Sequence, residues 1–592
     1  MSPIRAFYLS CGVLEGAVLL VQSSVMHLAG WITGLIGVTP FVVAMLDAAI
    51  PGAAEPVKAR HAMVVAEEPH ATEVGVAILK HGGNAVDAAV AVGFTLAVTH
   101  PYAGNLGGGG FMLIRFADGR STFVDFREQA PASASRDMYL DASGNPTQDS
   151  IDGWRASGVP GTVSGFELAQ SKYGRRKWAD LIAPAVKLAR QGFPVPATMV
   201  RSLEAEGPRL AKDPESRRIF LNHGAPFREG DLLVQPELAE TLAKIAKNGA
   251  SEFYGGQTGQ KLAAEMAAHG GLVTLEDLRN YRAVEHVPLA GKYRDVAILT
   301  APLPSSGGVG LLAMLGMLEG SGYEKTGAGS APTIHYVTEV MRRSFADRSR
   351  YLGDPDFVKV PVKKLLDPEY LKRRRATIDP ERATPSADVR GGLSTGNESS
   401  ETTHYSIVDA EGNAVAVTYT LNNGYGSAVT VPRLGFLLND TMDDFSSKPG
   451  APNLFGLIQG EANAIAPRKR PLSAMTPTIA TRDGKLFLVL GSPGGPRIIT
   501  AVLETFLNVV DFGMNIQEAV NAPRFHHQWM PDRLYLEKDI APEVAADLET
   551  RGYHLEYSPG VVLAKVEAIL IDKKGRKEGA ADRRFSGKAA GY

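Results

Sequence analysis

At residue 402 the pattern of the chain changes abruptly. The stretch from Arg375 to Ser400 is polar, rich in Arg, Ser, Gly and Pro, and lacks apolar periodicity. Such a stretch reads as an exposed linker, open to cutting or movement. Directly beyond it, Thr403–Val408 and Ala414–Leu421 read as two strands, joined by the turn Asp409-Ala410-Glu411-Gly412-Asn413. More strands are predicted at Thr478–Thr481 and Leu486–Leu490. Upstream the pattern is mainly helical. Glu73–Lys80 and Ala85–Val98 read as helices, the first ended by Gly82-Gly83 and the second capped by Asn84 and largely buried. Residues 160–290 read as helical, and Thr333–Leu352 as one long helix stopped by Gly353 and Pro355.

The N-terminus is a separate matter. From Gly16 to Leu46 there is no Asp, Glu, Lys or Arg, a run long enough to cross a bilayer. Arg5 precedes it, and Gly52-Ala53-Ala54 offers the small residues a signal peptidase accepts. Residues 1–56 therefore read as a secretory leader or an uncleaved signal-anchor, with the folded part beginning near Val57. The body is expected outside the cytoplasm, periplasmic or extracellular, either released or anchored in the membrane by this segment. Cys11 is the single cysteine, so the body can form no disulfide, no cysteine-rich zinc site and no cysteine nucleophile. A formal net charge of −2 gives no basic surface for nucleic acid. Gly104–Gly110 (GNLGGGG) precedes a strand, Phe111–Phe116, and does not open a helix. That order argues against a dinucleotide-binding loop and favours backbone pressed against a neighbouring element.

The segment Glu401-Thr402-Thr403-His404-Tyr405-Ser406 closely resembles the processing site of the gamma-glutamyltransferases, members of the N-terminal-nucleophile hydrolase superfamily. The likeness runs from about residue 60 to Tyr592. It includes Asp125-Phe126-Arg127-Glu128, Ala346-Asp347-Arg348-Ser349, Leu352-Gly353-Asp354-Pro355-Asp356, Met442-Asp443-Asp444-Phe445, Arg470-Pro471-Leu472-Ser473, Gly491-Ser492-Pro493-Gly494-Gly495 and Ala522-Pro523-Arg524-Phe525-His526-His527. The resemblance implies an α+β fold, a four-layer αββα sandwich with antiparallel sheets. It also implies self-cleavage before Thr402 into a large fragment, 57–401, and a small catalytic one, 402–592, which stay together as an intertwined heterodimer.

The chemistry follows from the nucleophile. A threonine hydroxyl is weak until a base takes its proton. As an N-terminus, Thr402 would carry its own base, an α-amine of pKa about 7.7–8.0. By resemblance, Thr420 would hydrogen-bond Thr402, and the N–H groups of Gly494 and Gly495 would face the oxyanion, where one donor contributes roughly 3–4 kcal/mol. Arg127 would hold the α-carboxylate of a γ-glutamyl group, joined by Ser473, while Asp444 and Asn422 would hold its α-amine. The implied reaction is ping-pong transfer from glutathione and other γ-glutamyl compounds to water, amino acids or short peptides. It requires no metal and no cofactor. Three positions depart from the family pattern: Ala474 where a second serine is usual, Thr441 where Gln or Glu is common, and Phe455 for an aromatic, often Tyr, in the lid-like segment 449–460. Two other readings stay open, a cephalosporin-type (glutaryl) acylase and a non-catalytic binding homologue. Arg127 with Asp444 opposes the first, and the intact set Thr402, Thr420, Gly494 and Gly495 opposes the second.

Overall fold

The structure is a computed structural model that describes residues 54–389, 402–448, 450–454, 456–557 and 563–592. Cys11, the charge-free run, Glu401 and Phe455 lie outside the described residues. Two seven-stranded sheets, antiparallel throughout, form the centre. The first runs Lys588–Gly591, Met63–Ala66, Thr403–Val408, Ala414–Thr420, Gly109–Arg115, Ser121–Phe126, Val284–His286. The second runs Val57–Ala59, Lys577–Ala580, Glu567–Ile571, Lys485–Gly491, Thr478–Arg482, Val296–Thr300, Leu289–Tyr293. Each sheet takes strands from both sides of residue 402, so the two parts of the chain build one core together.

Strand periodicity explains the layering. Tyr405, Ile407, Val415, Val417 and Tyr419 point to the core shared with the helix Ala85–Thr99. Their alternating neighbours Val408, Ala414 and Ala416 join the core between the sheets. The helices Gly307–Leu318 and Arg497–Val510 cover the second sheet, and Ala331–Tyr351 packs on the first of them. The result is the αββα sandwich. Thr403–Val408 and Ala414–Thr420 are covered on both faces and buried at every position, and the polar His404 and Ser406 among them are hydrogen-bonded.

Local signals explain the element boundaries. The turn is an Asx-type loop: Asp409 Oδ1 accepts from Glu411 N and Asn413 N, while Asp409 Oδ2 accepts from Ala85 N and docks the hairpin on a helix start. Asn84 and Asp87 form a capping box. The helix expected over Glu73–Lys80 begins earlier, at Pro69, because Glu68 caps it by accepting from His70 N and Ala71 N. The linker reading needs correction in its described part. Ser386 and Val389 are buried, Ser386 N donates to Asp532, and Trp529 Nε1 donates to the Ser386 carbonyl. Polar composition concealed a tethered segment there; residues 390–401 lie outside the described region. Among the described residues no helix is long and apolar enough to cross a membrane.

The glycine run meets its neighbours as expected. A Cβ on Gly108 would lie 2.0 Å from the Thr420 carbonyl oxygen, and one on Gly107 equally close to that of Leu437. Gly108→Ala should therefore destabilise by about 1–3 kcal/mol through overpacking. Gly207→Ala, in a helix with its nearest non-adjacent neighbour 3.8 Å away, should cost less, what cost there is arising from Pro208 directly after it. Denaturant midpoints of the two variants check the contrast.

Candidate active site

Strand pairing places the proposed nucleophile. Thr403 pairs with Tyr419 in the hairpin, so Thr402 and Thr420 stand next to one another at its open end. Their hydroxyls share a hydrogen bond of 3.1 Å, and both residues are buried. Asn422 N donates to Thr420 Oγ1 at 2.8 Å, and Asn422 Nδ2 donates to the Asp440 carbonyl. Asn422 holds φ at +87°, a strained backbone for a residue with a side chain, and such strain gathers at functional sites.

These groups face a small cleft lined by Thr402, Thr420, Asn422, Asp444, Ser473, Ala474 and Gly495, with Arg348 and the apolar Leu457, Leu472, Met475 and Ile498. Residues as far apart in sequence as Arg348 and Ile498 thus come together only in the fold. Gly494 and Gly495 lead directly into the helix Arg497–Val510 and hold φ at +130° and +54°, a pair that favours glycine. Among the described residues neither amide donates a hydrogen bond. Gly495 borders the cleft and Gly494 stands one residue behind.

Arg127 occupies a different position from its neighbours. It is fully buried and lies behind Asp444, to which Nη2 donates, and its Nη1 donates to Glu128 at 3.1 Å. Burial alone would lower the Arg127 pKa, but the Glu128 and Asp444 carboxylates offset this and hold it above its ordinary value. Burial pushes the Asp444 carboxyl up, against the pull of Arg127, and pushes Glu128 up to about 7. Asp443, on the same turn, is also pushed to about 7 by burial, while accepting from Leu454 N and Ser150 Oγ.

Ser473 Oγ accepts from Met475 N, so it keeps a proton to donate into the cleft. Ala474 lines the cleft without any side-chain donor. Thr441 is fully buried outside the cleft lining and donates to Asn439 Oδ1 at 2.6 Å. Arg348 was not assigned a role from the sequence. The only signal available was a charged residue inside the quoted motif Ala346–Ser349.

The sequence profile of the family described as "Gamma-glutamyltranspeptidase" matches residues 71–592. The chain belongs to this family. It is 50% identical over 540 residues to the glutathione hydrolase proenzyme of Escherichia coli strain K12, covering 91% of this chain and 93% of that protein. It is 38% identical over 541 residues to the acylase ACY 1 proenzyme of Pseudomonas sp. strain SE83, covering 90% and 94%. A crystal structure of cephalosporin acylase from Bacillus halodurans superposes with a TM-score of 0.81 at 26% identity, covering 92% of this chain and 98% of that one. The gamma-glutamyltranspeptidase family and its acylase relatives therefore share this scaffold, and the cleft must separate them.

The buried carboxyls carry a pH signature. Asp443 and Glu128 sit above the ordinary carboxyl range in the fold. Their contribution to stability is complete below about pH 4 and is lost as pH rises through about 7. The melting temperature should therefore fall as pH rises from about 4 to about 7 and level off above that, each group accounting for about 2–4 kcal/mol. Asp443→Asn should flatten that slope. Thermal melts across the range check it.

Proposed function

We propose that this protein is a self-processing glutathione hydrolase and γ-glutamyltransferase whose nucleophile is Thr402. The observation that carries the reading is the hydroxyl pair Thr402–Thr420 at the mouth of a cleft that also holds a buried carboxylate, Asp444, backed by Arg127.

Maturation begins with attack of Thr402 Oγ on the Glu401 carbonyl carbon. The acyl group shifts from nitrogen to oxygen, and water hydrolyses the ester, leaving a carboxyl on Glu401 and a free amine on Thr402. Residues 57–401 and 402–592 remain together, because both sheets contain strands of both fragments. In turnover that amine takes the Thr402 hydroxyl proton as Oγ attacks the γ-carbonyl of glutathione. The N–H groups of Gly494 and Gly495 face the oxyanion. The proton passes to the departing amine of cysteinylglycine, and a γ-glutamyl ester stays on Thr402. Water, an amino acid or a short peptide amine then resolves it.

Selectivity lies in the ion pair. A γ-glutamyl head carries an ammonium and a carboxylate on one carbon. Placed against Asp444 and Arg127, it gives each of them a new partner and leaves neither charge bare. Asn422 and Ser473 supply the neutral polar contacts. A glutaryl group lacks the ammonium and would face Asp444 with nothing to offer. We also propose export, on the strength of the charge-free run Gly16–Leu46.

Two experiments test the reading. Intact-mass analysis should find two chains, the smaller starting at Thr402, whereas Thr402→Ala should stay whole and inactive. Splitting at that bond in Thr402→Ala would overturn the autocatalytic route. Asp444→Asn should mature normally yet lose roughly 30- to several-thousand-fold in efficiency on γ-glutamyl amides, as expected when a buried charge loses its partner. Turnover of a glutaryl amide should fall far less. An unchanged ratio between the two substrates would favour the acylase reading.

A further inference from the structure

Directly after the strand Met63–Ala66 comes a buried acid that the proposed mechanism leaves unused. Glu67 is fully buried, and its Oε1 accepts from His404 N at 3.1 Å. The carboxylate takes over from the strand ladder where the chain turns away into the helix Pro69–Lys80. Oε2 is hydrogen-bonded to no described residue. His100 Nε2 stands 3.4 Å from it and Lys565 Nζ 4.0 Å. Lys565 is clasped in turn to Ser492, which accepts from its N at 3.2 Å and donates from Oγ to its carbonyl at 2.8 Å. Ser492 lies just before Pro493 and Gly494. Glu67 therefore links the strand beside Thr402 to the turn that carries the two glycines.

Along an extended strand, alternate N–H groups point to the same edge, and two residues span roughly 6.6 Å. Thr402 precedes His404 by two, so its nitrogen faces the edge held by Glu67, roughly 7 Å from the carboxylate. Other groups on this edge are engaged or neutral. Glu68 is spent on the helix start, accepting from His70 N, Ala71 N and Thr99 Oγ1. Burial pushes the Glu567 carboxyl well above the ordinary range, with Glu67 and Asp582 adding to it and Arg524 opposing, so it stays neutral. The His404 ring and the Tyr419 hydroxyl are likewise held neutral by burial. Asp444 and Arg348 face Thr402 across the cleft. That leaves Glu67 and Lys565, with His100 beside them, to set the field at Thr402 from this edge.

We propose that Glu67 is a positioning residue for the catalytic amine: it holds the strand that begins beside Thr402 and raises the proton affinity of the α-amine exposed there on maturation, with Lys565 as its counter-charge. This rests on the reading of Thr402 as an N-terminal nucleophile. A negative charge at that distance favours the ammonium, and the lysine opposes it. The balance lets one amine take the hydroxyl proton and return it to the leaving group.

The test is the pH profile of kcat/KM for hydrolysis of γ-glutamyl-4-nitroanilide by the matured enzyme, whose acid limb reports the free Thr402 amine. Glu67→Gln keeps an acceptor for His404 N and removes only the charge. Its acid limb should move to lower pH by about one unit, as expected for a unit charge roughly 7 Å away inside a protein. Lys565→Met keeps the apolar stem and should move the limb to higher pH. Glu67→Ala also removes the acceptor, and should lower kcat roughly tenfold besides shifting the limb. A purely structural role for Glu67 would lower kcat and leave the limbs in place. Unmoved limbs in the matured variants overturn the proposal and leave the functional reading standing. If Glu67→Gln does not mature into two chains, Lys565→Met decides. Absence of wild-type turnover on this donor overturns both.

Discussion

The strand Thr403–Val408 is paired on both edges, with Met63–Ala66 and Ala414–Thr420, and covered on both faces. A strand held in this way cannot slide, because a slip of one residue would turn Tyr405 and Ile407 from the helical core to the sheet interface. Polar ties strengthen the hold. His404 N donates to Glu67 Oε1, and the His404 ring bonds Thr418 Oγ1 and Ser406 Oγ. Burial pushes the pKa of that ring down to about 3, so it stays neutral and acts as a structural wedge between the sheets. Thr402 inherits this fixity as the residue immediately before the strand. Cutting the chain ahead of it removes no strand pairing, so the proposed nucleophile would gain a new terminus without losing its place.

The same rigidity explains how distant segments converge on one cleft. Asp444 sits on a short helical turn, Thr441–Asp444, and Gly494 and Gly495 on the turn between a strand and the helix Arg497–Val510. Each group therefore projects from the end of a regular element or a turn packed against one. Preorganisation of that kind is what oxyanion and ion-pair recognition require, since donors that must reorient cost binding energy at each turnover.

The hairpin was legible because its signals are local. Alternating apolar residues mark the strands, and the Asp409–Asn413 turn carries its own hydrogen-bond acceptors. Asn84 and Asp87 were legible for the same reason. Legibility failed wherever a residue's meaning depends on a partner far away in sequence. Glu68 looks like an ordinary acid until Pro69 and the N–H groups of His70 and Ala71 make it a cap. Ser386 looks solvent-exposed until Asp532 and Trp529 arrive from the other end of the chain. Arg348 is the clearest case. The helix Ala331–Tyr351 is buried nearly all round, Arg342, Arg343 and Arg348 included, and nothing local separates the one that lines the cleft from the two that pair with Glu339. The site residues came instead from family motifs, whose order along the chain encodes the assembled cleft.

Burying Arg127 and Asp444 together is a poor way to stabilise a protein. Two charges taken from water lose several kcal/mol of solvation each, and apolar replacements of similar volume are often as stable or more so. The cost is heightened here because Asp443 and Asp440 lie on or beside the same turn, and Asp440 is pushed well above the ordinary carboxyl range by its own burial. Packing alone would favour removal of such a cluster. Its position, against a cleft that contains the Thr402 hydroxyl, gives it a different reason to exist. A site that binds a group bearing both charges needs a matching pair already desolvated, so that the ligand exchanges partners and need not strip water from exposed side chains. An apolar acyl group would gain nothing from that arrangement and would leave the pair as a permanent burden. The ion pair is therefore better explained by the ligand than by the fold, and it favours an amino-acid head group over a plain acyl chain.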